Sequence, residues 1–361
     1  MQTERSPVLI DSDAHVRESP DLWIQRLPAA FRDRAPTFAP EMAPPGATVS
    51  TFRIPEMEQD GVFATVLYTS KGMNMFHMED AGLQEACFRV YNDWLTEYCS
   101  VAPKRLYGIG LISVYNIDNA IKELEHCRKS GMAGAMVWMT PPAHLPFSRS
   151  DHYDRLWAAA QDLDVPINLH VNTGFDHISL YGGSDRPRLA SGGAPQSQER
   201  GGMWEYCHAA VNERTENVSN ALLELIFAGV LDRYPRLRLV LAEAEIGWLP
   251  FYLQQWDYNM KRYAGKQRIG PLELLPSEYF ARQVYATFLD DQAGAQNFNW
   301  WDAGANNCMW STDYPHSKTA WPHSRELLVQ QLGHLPQQTI QKLVHDNVVR
   351  LYGLEVPERM V

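Results

Sequence analysis

The chain has 361 residues, 45% of them hydrophobic, and a formal net charge of -11 at pH 7. This length suits one large α/β domain or two ordinary ones, and the negative charge argues against a nucleic-acid-binding surface. The sequence shows no signal-peptide pattern, no apolar run long enough for a membrane span and no CxxC pair among its five cysteines, so we expect a reduced, cytoplasmic protein.

Segments rich in β-forming residues alternate with helix-length segments along the chain. We predict eight strands, at Val8–His15, Phe63–Ser70, Leu106–Val114, Ala133–Met139, Pro166–Val171, Leu237–Glu243, Val284–Asp290 and Met309–Asp313. Helical patterns lie between them, including Glu79–Ser100, Asn116–Ser130, Asp151–Leu163, Asn217–Ala228 and Leu249–Arg262. Eight strand–helix units predict an α/β fold of the (β/α)8 TIM-barrel type, with residues 1–361 as a single domain. A doubly wound sheet is the alternative, but it would not bring strands 1, 5, 6 and 8 together.

The segment Asn172–Thr215 interrupts this alternation after the fifth strand. It is long and rich in Gly and Ser, and it leaves the barrel on the face where TIM-barrel enzymes carry their active sites. We therefore expect a substrate lid at 172–215, with a surface excursion or an oligomer contact as the alternative.

The first strand carries Asp13 and His15 two residues apart. Side chains alternate across a strand, so this spacing directs both to the same face. A carboxylate and an imidazole on one face can hold a divalent cation. Taken alone, the Asp-x-His pattern also fits a hydrogen-bonded surface pair.

Three later strands each end on a further possible metal ligand. His170 ends the fifth predicted strand, Glu243 the sixth and Asp313 the eighth. A histidine at such a position is often a hydrogen-bonded core residue, whereas a buried carboxylate is expensive unless it is paired or bound to metal. His316 follows Asp313 closely and is a candidate substrate contact or a loop imidazole bonded to the backbone. Four strand ends of this kind predict a metal site at the mouth of a barrel.

The ordered set of strand ends resembles the amidohydrolase superfamily, within it the amidohydrolase-related branch that contains the aminocarboxymuconate-semialdehyde decarboxylases. Further segments carry the resemblance across nearly the whole chain: Glu18–Trp23, Met57–Val62, Gly229–Pro235, Ser311–His316 and Asn347–Gly353. The resemblance implies a barrel with metal at its C-terminal face, and decarboxylation or hydrolysis of small carboxylated compounds.

The sequence departs from this family at two positions. The first-strand pair is usually two histidines, and here it begins with Asp13; where many members keep a histidine on strand 6, this chain has Glu243. No lysine occurs in the strand-4 segment Ala133–Met139, so the carbamylated bridge of dinuclear members is not expected. The extra carboxylates favour Mn or Fe relative to Zn, although Zn has the higher general affinity. They also allow a second cation, for which Glu18 is a possible ligand or, alternatively, a first-turn helix acid.

The leading hypothesis is a metal-dependent lyase or hydrolase that acts on a small carboxylated compound. Asp313 would bind metal and accept a proton, with His316 or Glu243 as the proton donor. The alternatives are a dinuclear non-haem Fe or Fe/Mn oxygenase and a non-catalytic partner subunit. We expect a homo- or hetero-oligomer. The predicted metal ligands are Asp13, His15, Glu18, His170, Glu243 and Asp313, binding one or two ions of Zn, Mn or Fe.

Overall fold

Eight parallel strands, β1 to β8, form a sheet in strict chain order in the computed structural model, which describes residues 7–175, 203–204, 207–263 and 272–356. Every neighbouring pair from β1 to β8 is parallel. The strands are β1 Leu9–Val16, β2 Val62–Thr69, β3 Leu106–Leu111, β4 Gly134–Val137, β5 Ile167–His170, β6 Leu239–Ala242, β7 Val284–Phe288 and β8 Cys308–Trp310.

The first and last strands meet and close the sheet into a barrel. The Asp313 N–H donates to the backbone carbonyl of Asp13 at 2.9 Å, and the Ser12 hydroxyl donates to the carbonyl of Trp310 at 2.7 Å. The carboxylate of Asp11 accepts the Thr312 N–H at 2.9 Å across the same junction. The predicted (β/α)8 barrel is therefore confirmed, and the doubly wound alternative is wrong.

Helices connect the strands on the outside of the barrel, as predicted. Two of the long ones begin at side-chain caps: Asp80 accepts from the Leu83 N–H at 3.0 Å, and Asn116 from the Asn119 N–H at 3.1 Å. The helices are Leu22–Arg26, Ala29–Arg32, Ser50–Asp60, Ala81–Cys99, Ile117–Lys129, Ser150–Asp162, Arg214–Phe227, Val230–Arg233, Leu249–Tyr263, Pro276–Gln283, Gln292–Asn297, Asp302–Asn307, Ser324–Leu332, Gln337–Gln341 and Asn347–Tyr352. Within the described ranges, no helix combines the length and apolar character needed to cross a membrane.

The short strands are buried on both faces because the barrel interior and the helical layer cover them. β4, β5 and β6 are buried at every position, which explains why they read as apolar runs rather than alternating patterns. The predicted strands 2 to 8 each end one to three residues earlier in the structure than expected. Glu243 and Asp313 lie beyond the ends of β6 and β8, in the loops at the C-terminal face.

The predicted lid at 172–215 lies largely outside the described residues. Within it, residues 172–175, 203–204 and 207–215 are described, and the part from His208 onward is already helical, as the π-helix His208–Glu213 and then the α-helix that begins at Arg214. The role of this segment as a lid and the treatment of 1–361 as a single domain stay predictions.

Candidate metal centre

β1 places Asp13 and His15 inside the barrel, where both are inaccessible to solvent. One carboxylate oxygen of Asp13, Oδ2, accepts hydrogen bonds from the Thr287 hydroxyl and from the Glu243 N–H, each at 2.9 Å. Its other oxygen, Oδ1, is buried without a hydrogen-bond partner. Since buried polar atoms are nearly always paired, this oxygen is available to a ligand that the polypeptide does not supply.

Hydrogen bonds to backbone carbonyls fix the rings of His15 and His170. Nδ1 of His15 lies 2.7 Å from the carbonyl oxygen of Thr69, and Nδ1 of His170 lies 2.8 Å from that of Val171. A carbonyl only accepts, so Nδ1 carries the proton and Nε2 keeps its lone pair in the neutral ring. Both Nε2 atoms are buried without partners. Burial, reinforced by the neighbouring imidazoles, holds the pKa of His15 well below its usual range and favours the neutral ring.

The three unpartnered atoms converge on one point. Oδ1 of Asp13 lies 3.6 Å from Nε2 of His15 and 3.6 Å from Nε2 of His170. Oδ1 of Asp313 lies 3.4 Å from Nε2 of His15. Donors that bind one ion at about 2.1 Å are separated by roughly 3 to 3.5 Å. The arrangement therefore fits a divalent cation with little adjustment.

Glu243 and Asp313 reach this point from loops with unusual backbone conformations. Their φ angles are +54° and +52°, in the left-handed region that non-glycine residues seldom adopt. Such conformations cost about 1–3 kcal/mol each and cluster at functional sites. The strand ends thus turn sharply, and each turn directs a carboxylate to the barrel mouth instead of continuing the strand.

Arg214 forms an ion pair with Glu243, with Nη1 2.7 Å from Oε1. The other oxygen, Oε2, lies 3.8 Å from Nε2 of His170. Burial opposes ionisation, but the positive charge of Arg214, the strongest opposing influence, lowers the pKa of Glu243 to about 2. Glu243 is therefore a carboxylate. The sequence analysis missed Arg214, because a contact across 29 residues leaves no local pattern.

Asp313 and His316 form a second polar pair at the site. Oδ1 of Asp313 lies 2.7 Å from Nδ1 of His316, whose Nε2 lies 3.2 Å from the Ser70 hydroxyl. Burial and the negative charge of Glu243 raise the pKa of Asp313 to about 6. Burial opposes protonation of His316, yet its hydrogen bond to Asp313 raises the pKa of the imidazole. The pair is suited to holding and moving a proton.

The structure does not bring Glu18 into the cluster. Its buried carboxylate instead accepts hydrogen bonds from the Thr69 hydroxyl and from the Lys71 N–H, the latter at 2.9 Å. Burial raises the pKa of this carboxyl group. Glu18 is also not a first-turn helix acid, since the nearest helix begins at Leu22. Its contacts anchor the loop after β2, next to the Thr69 carbonyl that orients His15.

The described residues contain two overlapping groups that can hold a metal ion. One is Asp13, His15 and His170; the other is His15, Glu243, Asp313 and His316. Each offers one ligand atom, and within a group these atoms lie within 4.8 Å of one another. All predicted ligands except Glu18 thus meet at the barrel mouth. Two imidazoles and three carboxylates suit a cation such as Mn²⁺ or Fe²⁺.

Comparison with known proteins relates the chain to metal-dependent enzymes. The sequence model of the amidohydrolase family matches residues 10–354. A gamma-resorcylate decarboxylase of Polaromonas sp. strain JS666 is 23% identical over 281 residues, which cover 73% of this chain and 76% of that protein.

Solved structures share the fold over nearly the whole chain. The 5-carboxyvanillate decarboxylase of Sphingomonas paucimobilis superposes with a TM-score of 0.71 and 21% identity, covering 96% of this chain and 99% of that one. A dihydroxybenzoic acid decarboxylase of Polaromonas sp. strain JS666, solved with manganese and the inhibitor 2-nitroresorcinol, has a TM-score of 0.67 and 19% identity, with 97% and 98% coverage.

Proposed function

The chain belongs to the amidohydrolase family, and from this premise we propose that it is a manganese-dependent decarboxylase of a small carboxylated aromatic compound. The observation that carries the proposal is the convergence of three buried, unpartnered donor atoms on Asp13, His15 and His170. The reaction class is supported by the decarboxylases among its relatives and by the manganese in a protein of the same fold.

The family comparison decides between several sequence-based predictions. The predicted amidohydrolase-related enzyme is confirmed, and the described residues include a cluster that could hold the predicted divalent metal. The oxygenase alternative is not supported, since the relatives are decarboxylases. An oligomeric state and a cytoplasmic location stay predictions. So do the individual roles of the site residues, the number of bound ions and the choice of manganese over zinc or iron.

The proposed ligands are Asp13, His15, His170 and Asp313, with Glu243 facing the same point. A cation held there supplies a Lewis acid for the oxygen atoms of a carboxylated ligand. The Thr287 hydroxyl and the Glu243 N–H fix Asp13, while backbone carbonyls fix both histidines. These supports preorganise the donors, so little reorganisation is needed when a substrate arrives.

Decarboxylation replaces a carbon–carbon bond with a carbon–hydrogen bond, so the substrate takes up one proton and releases CO2. We assign the proton donor to His316, since Asp313 raises the pKa of this imidazole. Glu243 is a poor donor because its low pKa keeps it ionised. Asp313 holds the imidazole through Nδ1 at 2.7 Å and leaves Nε2, near the Ser70 hydroxyl, for proton transfer.

The test is an activity assay on manganese-loaded protein with a panel of hydroxybenzoates, run without oxygen and followed by CO2 release. We expect turnover that Asp313→Asn reduces about 1,000-fold or more, because the change removes a ligand and weakens general acid–base catalysis. Asp290→Asn, at an exposed residue after β7, is the matched control and keeps wild-type activity. Turnover that needs oxygen, or full activity of Asp313→Asn, would contradict the proposal.

A further inference from the structure

Glu243 adds a third carboxylate to a cluster that already holds those of Asp13 and Asp313. The structure pairs this carboxylate with Arg214, the first residue of the helix Arg214–Phe227. Both side chains are largely shielded from solvent, at 16% exposure for Arg214 and 13% for Glu243. The pair therefore lies where charges are weakly screened and act strongly on each other.

The charge balance of the cluster depends on this pair. Asp13, Glu243 and Asp313 contribute three negative charges as carboxylates, and a divalent cation neutralises two. Arg214, in direct contact with Glu243, adds one positive charge, and Lys318 and Arg17 also act on the groups of this site. Removing Arg214 lowers the net charge of the site by one unit whether or not His316 is protonated. Without Arg214, the loaded site would therefore carry one more negative charge and attract an anion less strongly.

Arg214 also fixes which oxygen of Glu243 faces the donor cluster. Its Nη1 lies 2.7 Å from Oε1, whereas Oε2 lies 3.8 Å from Nε2 of His170. The Glu243 N–H is in turn bonded to Oδ2 of Asp13 at 2.9 Å. One ion pair thus sets both the orientation and the charge of a residue that contacts two predicted ligands.

We propose that Arg214 is a positioning residue that offsets the charge of Glu243, so that the metal-loaded site accepts a carboxylated, anionic substrate. The inference deepens the proposed function and rests on it for the identity of the ligand. The claim that Arg214 offsets the charge of Glu243 concerns only this chain and a cation. The experiment therefore measures cation binding and anion binding separately.

Cation binding is measured by titrating metal-free protein with Mn²⁺. Arg214→Gln makes the site more negative, and we expect it to bind Mn²⁺ about 3- to 10-fold more tightly than wild type, while Glu243→Gln binds it more weakly. The double variant Arg214→Gln/Glu243→Gln returns towards the wild-type value, since the two charge changes cancel. Arg236→Gln removes an exposed ion pair to Asp162 and is the matched control, with unchanged Mn²⁺ affinity. Equal or weaker Mn²⁺ binding by Arg214→Gln would overturn the proposal.

Anion binding is measured on manganese-loaded protein with 2,6-dihydroxybenzoate and its neutral counterpart 2,6-dihydroxybenzamide. We expect Arg214→Gln to weaken carboxylate binding at least tenfold and amide binding less than threefold, and Arg214→Lys to recover most of the difference. An equal loss for both compounds would mean that Arg214 acts only on structure, and would overturn the inference. If the wild type binds no aromatic carboxylate at all, the proposed function fails, and the Mn²⁺ titration still decides whether Arg214 sets the charge.

Discussion

Inside the barrel, two layers of buried polar groups differ in how fully their atoms are hydrogen-bonded. The deeper layer, here the floor cluster, consists of Tyr68, Asn168 and Tyr352. Both tyrosine hydroxyls donate to Oδ1 of Asn168 at 2.7 Å, and the Asn168 amide donates to two backbone carbonyls at 3.1 Å. His170 lies two residues after Asn168 on β5, and its Nε2 has no hydrogen-bond partner.

The contrast shows where the fold gives up stability for a ligand. A buried polar group without a hydrogen bond costs about 1–3 kcal/mol. The floor cluster avoids this cost entirely, whereas the metal centre has three such atoms within a few ångströms and two carboxylates on left-handed backbone. Asn168 and His170, of similar burial and two positions apart on one strand, therefore differ in role: the floor cluster stabilises the barrel, whereas the donor atoms of the other layer are suited to binding a cation.

Of the changes that distinguish the two layers, His170→Ala is expected to have the largest effect on Mn²⁺ affinity. Loss of an imidazole ligand should lower the Mn²⁺ affinity at least 100-fold, measured as metal retained after dialysis. Bound metal at 1,000 times its dissociation constant stabilises the folded state by about 4 kcal/mol, so a chelator should lower the melting temperature of wild type and leave that of the variant unchanged. The control is His126→Ala, at a part-exposed imidazole paired with Asp93. A chelator response that survives in His170→Ala would place the cation elsewhere.

A smaller loss of Mn²⁺ affinity is expected when a hydrogen-bond donor to Asp13 is removed instead of a proposed ligand itself. Thr287→Val deletes the hydroxyl that holds Oδ2 of Asp13 at 2.9 Å, while the Glu243 N–H still binds that oxygen. Losing such an outer contact typically costs 10- to 100-fold in metal affinity. Thr287→Ser keeps the hydroxyl and should bind Mn²⁺ like wild type. Equal affinities for the Val and Ser variants would show that the hydroxyl does not orient Asp13.

The smallest effect is expected in the floor cluster. Tyr352→Phe removes one of the two hydroxyls on Asn168, and we expect a loss of about 0.5–1.5 kcal/mol in the free energy of unfolding, measured with denaturant. Mn²⁺ affinity should stay unchanged. The double variant Tyr68→Phe/Tyr352→Phe leaves Oδ1 of Asn168 without either donor and should lose more than the sum of the single changes. A change in Mn²⁺ affinity with Tyr352→Phe alone would show that the two layers are not independent.

The sequence predicts the barrel and the main members of the donor cluster because both depend on local patterns. All eight predicted strands are present, since strands buried on both faces appear as short apolar runs. Asp13, His15 and His170 follow from strand periodicity and from their place at strand ends. The left-handed turns at Glu243 and Asp313 are not predicted, because such turns at non-glycine residues carry no composition signal.

Other parts of the site depend on long-range geometry that one sequence does not reveal. Thr287 is one of several polar positions in the strands, and only the barrel brings it to Asp13. Arg214 lies next to Glu243 although 29 residues separate the two in the chain. Glu18 was placed among the ligands by its closeness in sequence to His15, but its carboxylate lies instead against Thr69 and Lys71.

The junction between β1 and β8 has a consequence for the timing of assembly. Asp11 and Thr312, which bond across it, are 301 residues apart in the chain. During synthesis, the first strand leaves the ribosome long before its partner strand exists. Asp13 and His15 are therefore made long before Asp313 can join them. The complete donor cluster forms only after the eighth strand has emerged, so a cation held by all of its members would bind late in the maturation of the protein.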